Sequence, residues 1–303
     1  NGALMNLYRR FYISLVVAGS AAALIALLCA GSFTFAQQGP KSTNFDGILY
    51  GAPYYHEYMP MDRLDKDVEL MQKAGLTVVR LGESTWSSWE PCDGQFEFAW
   101  MERIISRMHQ AGIKVILGTP TYSIPPWLYK KYPDILEIRL GGQKAAYGPR
   151  QNMDLTNPHF LFYAERIIRQ VVSHFKDHPA VIGYQIDNET SSYGTAGPNV
   201  QAAFVDYLKT RFRTTESLNR QWGLVYWGQL LNGWDEVPPR DGILNPGWKL
   251  EWERFQQRIT TDYLAWQGKI VNEYKRSSQF ITHNFVGGVR TDIDEYAIAR
   301  NLD

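Results

Sequence analysis

An amide and a carboxyl group follow a buried strand near the middle of the chain. The apolar run from Val181 to Ile186 is predicted to be that strand, and Asn188 and Glu189 come just after it. A carboxylate at such a position costs several kcal/mol unless it is solvated or paired. If it lies over a pocket instead, a partly desolvated acid suits proton donation, and the neighbouring amide can donate to a substrate hydroxyl.

Polar or aromatic residues also follow the other predicted strands. These clusters are Tyr54 to Glu57, Glu83 to Trp86, Thr119 to Tyr122, and His283 with Asn284. Enzymes built on a (β/α)8 barrel form their active sites from the carboxyl ends of many strands. The repetition therefore predicts a single site to which several strands contribute.

The elements that would position these clusters alternate along the chain. Strands are predicted at 48–50, 77–81, 114–117, 181–186 and 280–283, and the main helices at 61–74, 99–111, 158–176, 200–212 and 251–275. Near-continuous apolar strands indicate a parallel sheet that is covered on both faces. An open doubly wound sheet and a barrel both fit this pattern.

The polar strand ends favour the barrel, and no Gly-x-Gly-x-x-Gly follows the first strand to support a dinucleotide-binding sheet. We therefore predict an α/β fold, a (β/α)8 TIM barrel of which about the first five β/α units are present.

One carboxyl group at the mouth of such a barrel could protonate a leaving oxygen, and glycoside hydrolysis needs that acid plus a second carboxylate. Alone, however, Asn-Glu also fits an ordinary polar strand end.

The first 36 residues differ in kind from the rest. Arg9 and Arg10 precede an apolar run over 11–30, and the small residues Thr34 and Ala36 follow it. This pattern predicts a secretory signal over 1–36, cleaved after Ala36, and an exported protein, periplasmic or extracellular. Because the apolar run is long for a signal, an uncleaved membrane anchor is the alternative. Residues 37–303 are predicted to form one partial barrel domain.

Composition excludes several classes of protein. Lys and Arg number 31, as do Asp and Glu, so the zero formal charge gives no support for a nucleic-acid partner. Beyond the predicted signal, Cys92 is the only cysteine, which rules out an internal disulfide. No His and Cys residues have metal-ligand spacing, so we predict no metal and no other cofactor.

Seven stretches, taken in order, resemble glycoside hydrolase family 42, the β-galactosidases. They lie at 79–87, 89–96, 119–128, 147–150, 185–189, 218–227 and 282–285, within a resemblance that runs from about Leu49 to the last residue. One such stretch would be weak evidence, whereas seven in the right order are specific. The resemblance outweighs the interpretation of Asn188 and Glu189 as a mere strand end.

The resemblance implies a retaining hydrolase that releases terminal β-D-galactosyl residues from β-galactoside oligosaccharides or polysaccharides. It implies that Glu189 is the general acid/base and that Asn188 contacts the sugar hydroxyl next to the anomeric carbon. It also suggests that Arg150 reaches the galactose subsite. Trp227 would form an aromatic wall, with Trp222 and Trp234 as alternatives and core packing as the other role of these rings.

Two further carboxyl groups follow predicted strands. We interpret Glu57 as a hydrogen-bonding residue at the pocket edge and Glu83 as a structural partner for Arg80. His56 stands where the family often has Pro, which is a departure from the family's pattern in this loop. Many members also carry a zinc-binding cysteine cluster, but Asp154 and the run 190–203 contain no cysteine, and no metal site is carried over.

The resemblance places the nucleophilic carboxylate at the end of the seventh strand. Since the predicted strands reach only the fifth, the chain is expected to be a piece of a longer enzyme, inactive alone, with its nucleophile beyond residue 303. Family members are often trimers, so the resemblance makes a homo-oligomer one of the expected states of the full-length protein. A related hydrolase for another sugar, such as an arabinosidase or mannanase, and a non-catalytic carbohydrate-binding protein are the alternative functions.

Overall fold

Five parallel strands form the central sheet. The computed structural model describes residues 45, 47–148, 153–239, 245–287 and 290–303, so the predicted signal over 1–36 lies outside the described residues. The strands are β1 (Gly51–Pro53), β2 (Val78–Leu81), β3 (Lys114–Gly118), β4 (Val181–Gln185) and β5 (Phe280–Thr282). Their order in the sheet is β1-β2-β3-β4-β5, and each neighbouring pair is parallel. Sequential parallel strands joined by helical crossovers are the repeating unit of a (β/α)8 barrel.

Helices connect and cover these strands. Within the described residues they are α1 (Leu64–Lys73), α2 (Trp86–Trp89), α3 (Ala99–Gln110), α4 (Pro126–Lys131), α5 (Pro158–Phe175), α6 (Pro198–Phe212), α7 (Thr215–Trp222), α8 (Pro246–Asn272) and α9 (Glu295–Ala299). The residues at the start of α5 explain why this helix begins where it does. Asn157 caps it by accepting hydrogen bonds from the N–H groups of His159 and Phe160, and Pro158 takes the first helical position. None of the described helices has the length and hydropathy of a membrane span.

The first strand lies later in the chain than the apolar pattern predicts. The prediction was 48–50, but Ile48 is 89% exposed and β1 is Gly51–Pro53, paired with β2. A Cβ atom at Gly51 would lie 1.8 Å from the carbonyl oxygen of Val78, so only glycine permits this approach. Backbone pairing rather than hydrophobicity fixes the position of β1, and the prediction was wrong for that reason.

The two faces of the sheet have different side chains. On β2, Val79 and Leu81 are buried in the hydrophobic core with the helices, and Arg80 lies between them on the opposite face. Gln185, the last residue of β4, accepts a hydrogen bond from Arg80 over 2.9 Å, which places both side chains on the inner face. Alternate strands supply a layer of a barrel interior. The inner face at the carboxyl ends of the strands is therefore polar.

Candidate active site

Asn188 and Glu189 lie in the turn that leaves the carboxyl end of β4. Asn188 is 7% exposed and Glu189 is half-buried. Asp187 and Glu189, on either side of Asn188, both have left-handed backbone conformations, with φ values of +49° and +47°. Such conformations are unfavourable for residues other than glycine and cluster at functional sites. The sharp turn holds the pair at the end of the strand, where the sequence predicts it.

Asn284, which follows β5, ties this turn to the neighbouring strand. Its Nδ2 donates to Oδ1 of Asn188 over 2.9 Å, and its Oδ1 accepts from the N–H of Glu189 over 3.3 Å. Because Oδ1 of Asn188 is held in this way, Nδ2 of Asn188 is the group that can donate to a sugar hydroxyl. The sequence placed Asn284 in a strand-end cluster but assigned it no role.

Arg80 is a positively charged residue on the inner face of the sheet, close to Gln185 at the end of β4. Its guanidinium donates to Oε1 of Glu83 over 2.7 Å, to the hydroxyl of Tyr55 over 3.0 Å, and to Gln185. Glu83 is 1% exposed, so the two residues form a buried ion pair, and the predicted pairing is confirmed. Removing one partner of such a pair leaves an uncompensated charge. Glu83 is therefore held against Arg80 within the buried inner face.

Glu57 lies in the short 3-10 turn after β1 and has an unusual titration. Its pKa is raised from 4.5 to about 7, mainly by burial; a hydrogen bond from its own backbone lowers the pKa, and the negative charge of Glu83 raises it. Oε1 of Glu57 is buried and has no hydrogen-bond partner among the described residues. Its role at the pocket edge stays a prediction.

This raised pKa gives a testable dependence of stability on pH. From about pH 4.5 to about pH 7 the folded protein holds a proton on Glu57 that the unfolded chain has released. The free energy of unfolding therefore falls on this account as pH rises through that window, and changes no further above it. Glu57→Gln mimics the protonated form, so we expect its advantage over the wild type to grow from about zero near pH 4.5 to about 1–2 kcal/mol near pH 8, after allowance for solvent screening.

Urea unfolding of the full-length protein at both pH values would measure this difference. Glu69→Gln is the matched control, because hydrogen bonds from Lys73 and Lys66 lower the pKa of Glu69. Removing that carboxylate should cost stability at neutral pH and little at acidic pH, which is the opposite direction. An advantage of Glu57→Gln that is equal at both pH values would contradict the raised pKa.

His283, at the end of β5, was also given no individual role by the sequence. Its Nδ1–H donates to the carbonyl oxygen of Ile186 over 2.7 Å, which leaves Nε2 as the acceptor nitrogen. Burial lowers the pKa of His283, an effect that the bond to Ile186 and the charges of Asp187 and Glu189 oppose. The site thus contains a neutral imidazole next to the turn that carries Glu189.

The other predicted substrate contacts involve three tryptophans and Arg150. Arg150 lies outside the described residues. Trp227 is on a turn after α7, is 79% exposed, and packs edge-on against the ring of Tyr226. Trp222 is buried against other aromatic rings, which favours core packing for it, and Trp234 is half-buried. The substrate contacts of Arg150 and Trp227 stay predictions.

Asp154, where many relatives carry a cysteine, is held by hydrogen bonds. Its carboxyl oxygens accept from the N–H and hydroxyl of Thr156, over 2.9 and 2.6 Å, and from Nδ2 of Asn199 over 3.4 Å. These bonds connect the segment before α5 to the first turn of α6. Over the described ranges, no three His, Cys, Asp or Glu side chains are grouped as metal ligands.

This arrangement can transfer a proton beside a set of hydroxyl-binding groups. Glu189 supplies a half-buried carboxyl group, and Asn188 supplies an oriented amide. Arg80 adds a fixed positive charge on the same face. A general acid with such neighbours can protonate a leaving oxygen while a polyhydroxylated substrate is held in place.

Comparison with known proteins agrees with this geometry. The model of glycoside hydrolase family 42, described as beta-galactosidase, matches residues 53–303. Beta-galactosidase BgaA of Thermus sp is 34% identical over 261 residues, which are 84% of this chain and 40% of that relative. The solved beta-galactosidase of Rahnella sp. R3 aligns with a TM-score of 0.80 at 30% identity, covering 86% of this chain and 39% of that one. The solved beta-galactosidase of Halorubrum lacusprofundi also aligns with a TM-score of 0.80, at 28% identity. That alignment covers 84% of this chain and 38% of the other one.

The chain thus spans 40% or less of the length of these relatives. The alignment confirms the predicted fold class, and the described residues supply five β/α units of the TIM barrel. Since the family match extends over 53–303 and includes the turn with Asn188 and Glu189, the chain belongs to glycoside hydrolase family 42.

Proposed function

We propose that the full-length protein is a retaining β-galactosidase that releases terminal β-D-galactosyl residues from β-galactosides. The observation that carries the proposal is the Asn188–Glu189 turn at the carboxyl end of β4, in a chain that belongs to family 42. The names of the relatives, all beta-galactosidases, support the sugar. No cofactor is required, because proton transfer and nucleophilic attack by carboxyl groups suffice.

In the proposed mechanism Glu189 acts twice. It first protonates the glycosidic oxygen while a nucleophilic carboxylate attacks the anomeric carbon, and the aglycone leaves. It then takes a proton from water, which attacks the glycosyl-enzyme and restores the original configuration. The nucleophile must lie about 5–5.5 Å from the acid/base. We assign it to the end of the seventh strand of the barrel, as the resemblance to the family implies.

A panel of nitrophenyl glycosides tests the sugar. The full-length protein should hydrolyse the β-galactoside with the highest kcat/KM, because hydrogen bonds to each hydroxyl discriminate between sugars that differ at one centre. Preference for the α-L-arabinopyranoside or the β-mannoside would overturn the galactosidase assignment in favour of a related hydrolase. Binding of galactose without hydrolysis of any glycoside would show a carbohydrate-binding protein instead.

We also propose that the protein is exported, with its signal removed after Ala36. The polar residues Gln37 and Gln38 follow the apolar run and its small residues, as expected at the start of a mature chain. N-terminal sequencing of the exported protein should therefore begin at Gln37. Membrane-bound protein that retains Arg9 and Arg10 would show an anchor instead.

A further inference from the structure

The turn that carries Glu189 is held from behind by a network centred on Asp187. Asp187 is 3% exposed, and Oδ1 accepts a hydrogen bond from the N–H of Asn188 over 2.6 Å. Oδ2 accepts from the hydroxyls of Thr121, over 2.8 Å, and Tyr263, over 3.0 Å, and more weakly from Nε2 of Gln267 over 3.4 Å. A buried carboxylate surrounded by donors on several elements is fixed in place.

The backbone of Asp187 is held as firmly as its side chain. Its N–H donates to Oγ1 of Thr119 over 2.7 Å, and its carbonyl oxygen accepts from Nε2 of Gln185 over 2.9 Å. The left-handed conformation of Asp187 is unfavourable on its own. These bonds therefore select the turn, and with it the positions of the next two residues.

The buried face of helix α8 carries polar side chains, and two of them belong to this network. Its buried side includes Gln256, Thr260, Tyr263 and Gln267, which recur at helical spacing where apolar residues would be expected. Tyr263 and Gln267 hold Asp187, and Nε2 of Gln256 donates to the carbonyl oxygen of Thr195 over 2.9 Å. One helix thus holds the loop from Asp187 to Thr195 at both ends, and Glu189 lies between them.

Tyr263 is suited to a permanent role as donor. Burial raises its pKa well above the usual value for a tyrosine, and the carboxylate of Asp187 raises it further. The phenol therefore stays protonated throughout the pH range in which a glycosidase works. It does not exchange protons with the substrate, and its contribution is the hydrogen bond to Oδ2 of Asp187.

We propose that Asp187, held by Tyr263 and Gln267 of α8, is a positioning residue that sets the carboxyl group of Glu189 for proton transfer. The inference rests on the proposed glycosidase function. A displacement of reacting groups by about 1 Å can cost about 100-fold in rate. Loosening the turn should therefore impair the proton transfer by Glu189 more than it impairs folding.

The test compares two galactosides that differ in their need for the acid. A substrate with a poor leaving group depends on protonation, whereas one with a very acidic leaving group needs little in the first step. In the full-length protein, Tyr263→Phe should lower kcat/KM by about 10-fold for the poor leaving group and by much less for the good one. Tyr207→Phe is the matched control, because the Tyr207 hydroxyl donates to another buried carboxylate, Glu251, over 2.6 Å.

A second pair of variants guards against misfolding at α8. Thr121→Val removes one donor to Asp187 with little change in shape, and Thr121→Ser keeps the hydroxyl, so only the first should show the leaving-group dependence. Equal losses on both substrates in Tyr263→Phe and Thr121→Val, with active wild type, would overturn the positioning role alone. A wild-type protein that hydrolyses neither galactoside would overturn the proposed function, and this inference with it.

Discussion

Replacing Glu189 with glutamine in the full-length protein is expected to lower kcat/KM by about 10²–10⁴-fold for a galactoside with a poor leaving group. Glutamine has nearly the same shape, and the N–H that donates to Asn284 belongs to the backbone, so the turn should persist. The amide cannot supply a proton to the glycosidic oxygen. The loss therefore measures general acid catalysis rather than damage to the fold.

The two halves of the reaction give this variant a kinetic signature. With a very acidic leaving group the first step needs little protonation, but water still has to lose a proton to a base when the glycosyl-enzyme is hydrolysed. Glu189→Gln should therefore release a rapid burst of the leaving group followed by slow turnover. Stopped-flow measurement of the nitrophenolate would detect the burst.

A glutamate on the helical layer provides the control for this substitution. Glu165 is half-exposed on α5 and forms an ion pair with Arg169 one helical turn later, so Glu165→Gln removes a carboxylate from the same domain without touching the site. Glu165→Gln should leave kcat/KM unchanged for the galactosides with the poor and with the very acidic leaving group. If Glu189→Gln hydrolysed lactose-like substrates at the wild-type rate, Glu189 would not be the acid.

The sequence predicts best the strands whose positions are determined by the burial of apolar side chains. The predicted segments 77–81, 114–117, 181–186 and 280–283 agree with β2 to β5 to within about one residue at each end. Their apolar runs are continuous because a parallel sheet is covered on both faces. β1 was misplaced because the contact of Gly51 with Val78 leaves no hydrophobic signal. The helices α2, α4 and α7 were missed because they are too short to show a clear period.

The site residues also differ in whether a local sequence pattern could identify them. Asn188 and Glu189 could be located because a strand end and a resemblance both mark them. The partners that hold them are distant in the chain: Asn284 follows the pair by 95 residues or more, and Tyr263 lies 76 residues after Asp187. Such contacts depend on which strands are neighbours and how α8 crosses them, which no local pattern reveals. The polar residues on the buried face of α8 are the one available signal, since they contradict the expected apolar stripe.

Asn188 is expected to donate a hydrogen bond to the sugar hydroxyl next to the anomeric carbon. A hydrogen bond to that hydroxyl strengthens in the transition state of glycosidases and is worth several kcal/mol. Because Oδ1 of Asn188 is held by Asn284, the donor to the sugar is Nδ2. Asn188→Ala in the full-length protein should therefore lower kcat/KM by about 10²–10³-fold on an ordinary β-galactoside, mainly through kcat.

A double-mutant cycle with a 2-deoxygalactoside separates this contact from general disruption. The deoxy substrate lacks the hydroxyl, so Asn188→Ala should cost it far less than it costs the parent substrate, and the difference is the coupling between amide and hydroxyl. Asn284→Ala is the control: it removes the tie to Asn188 but keeps the donor, so its losses on the two substrates should be closer to each other. If Asn188→Ala reduced kcat/KM by the same factor on both substrates, Asn188 would be supporting the turn rather than binding the sugar.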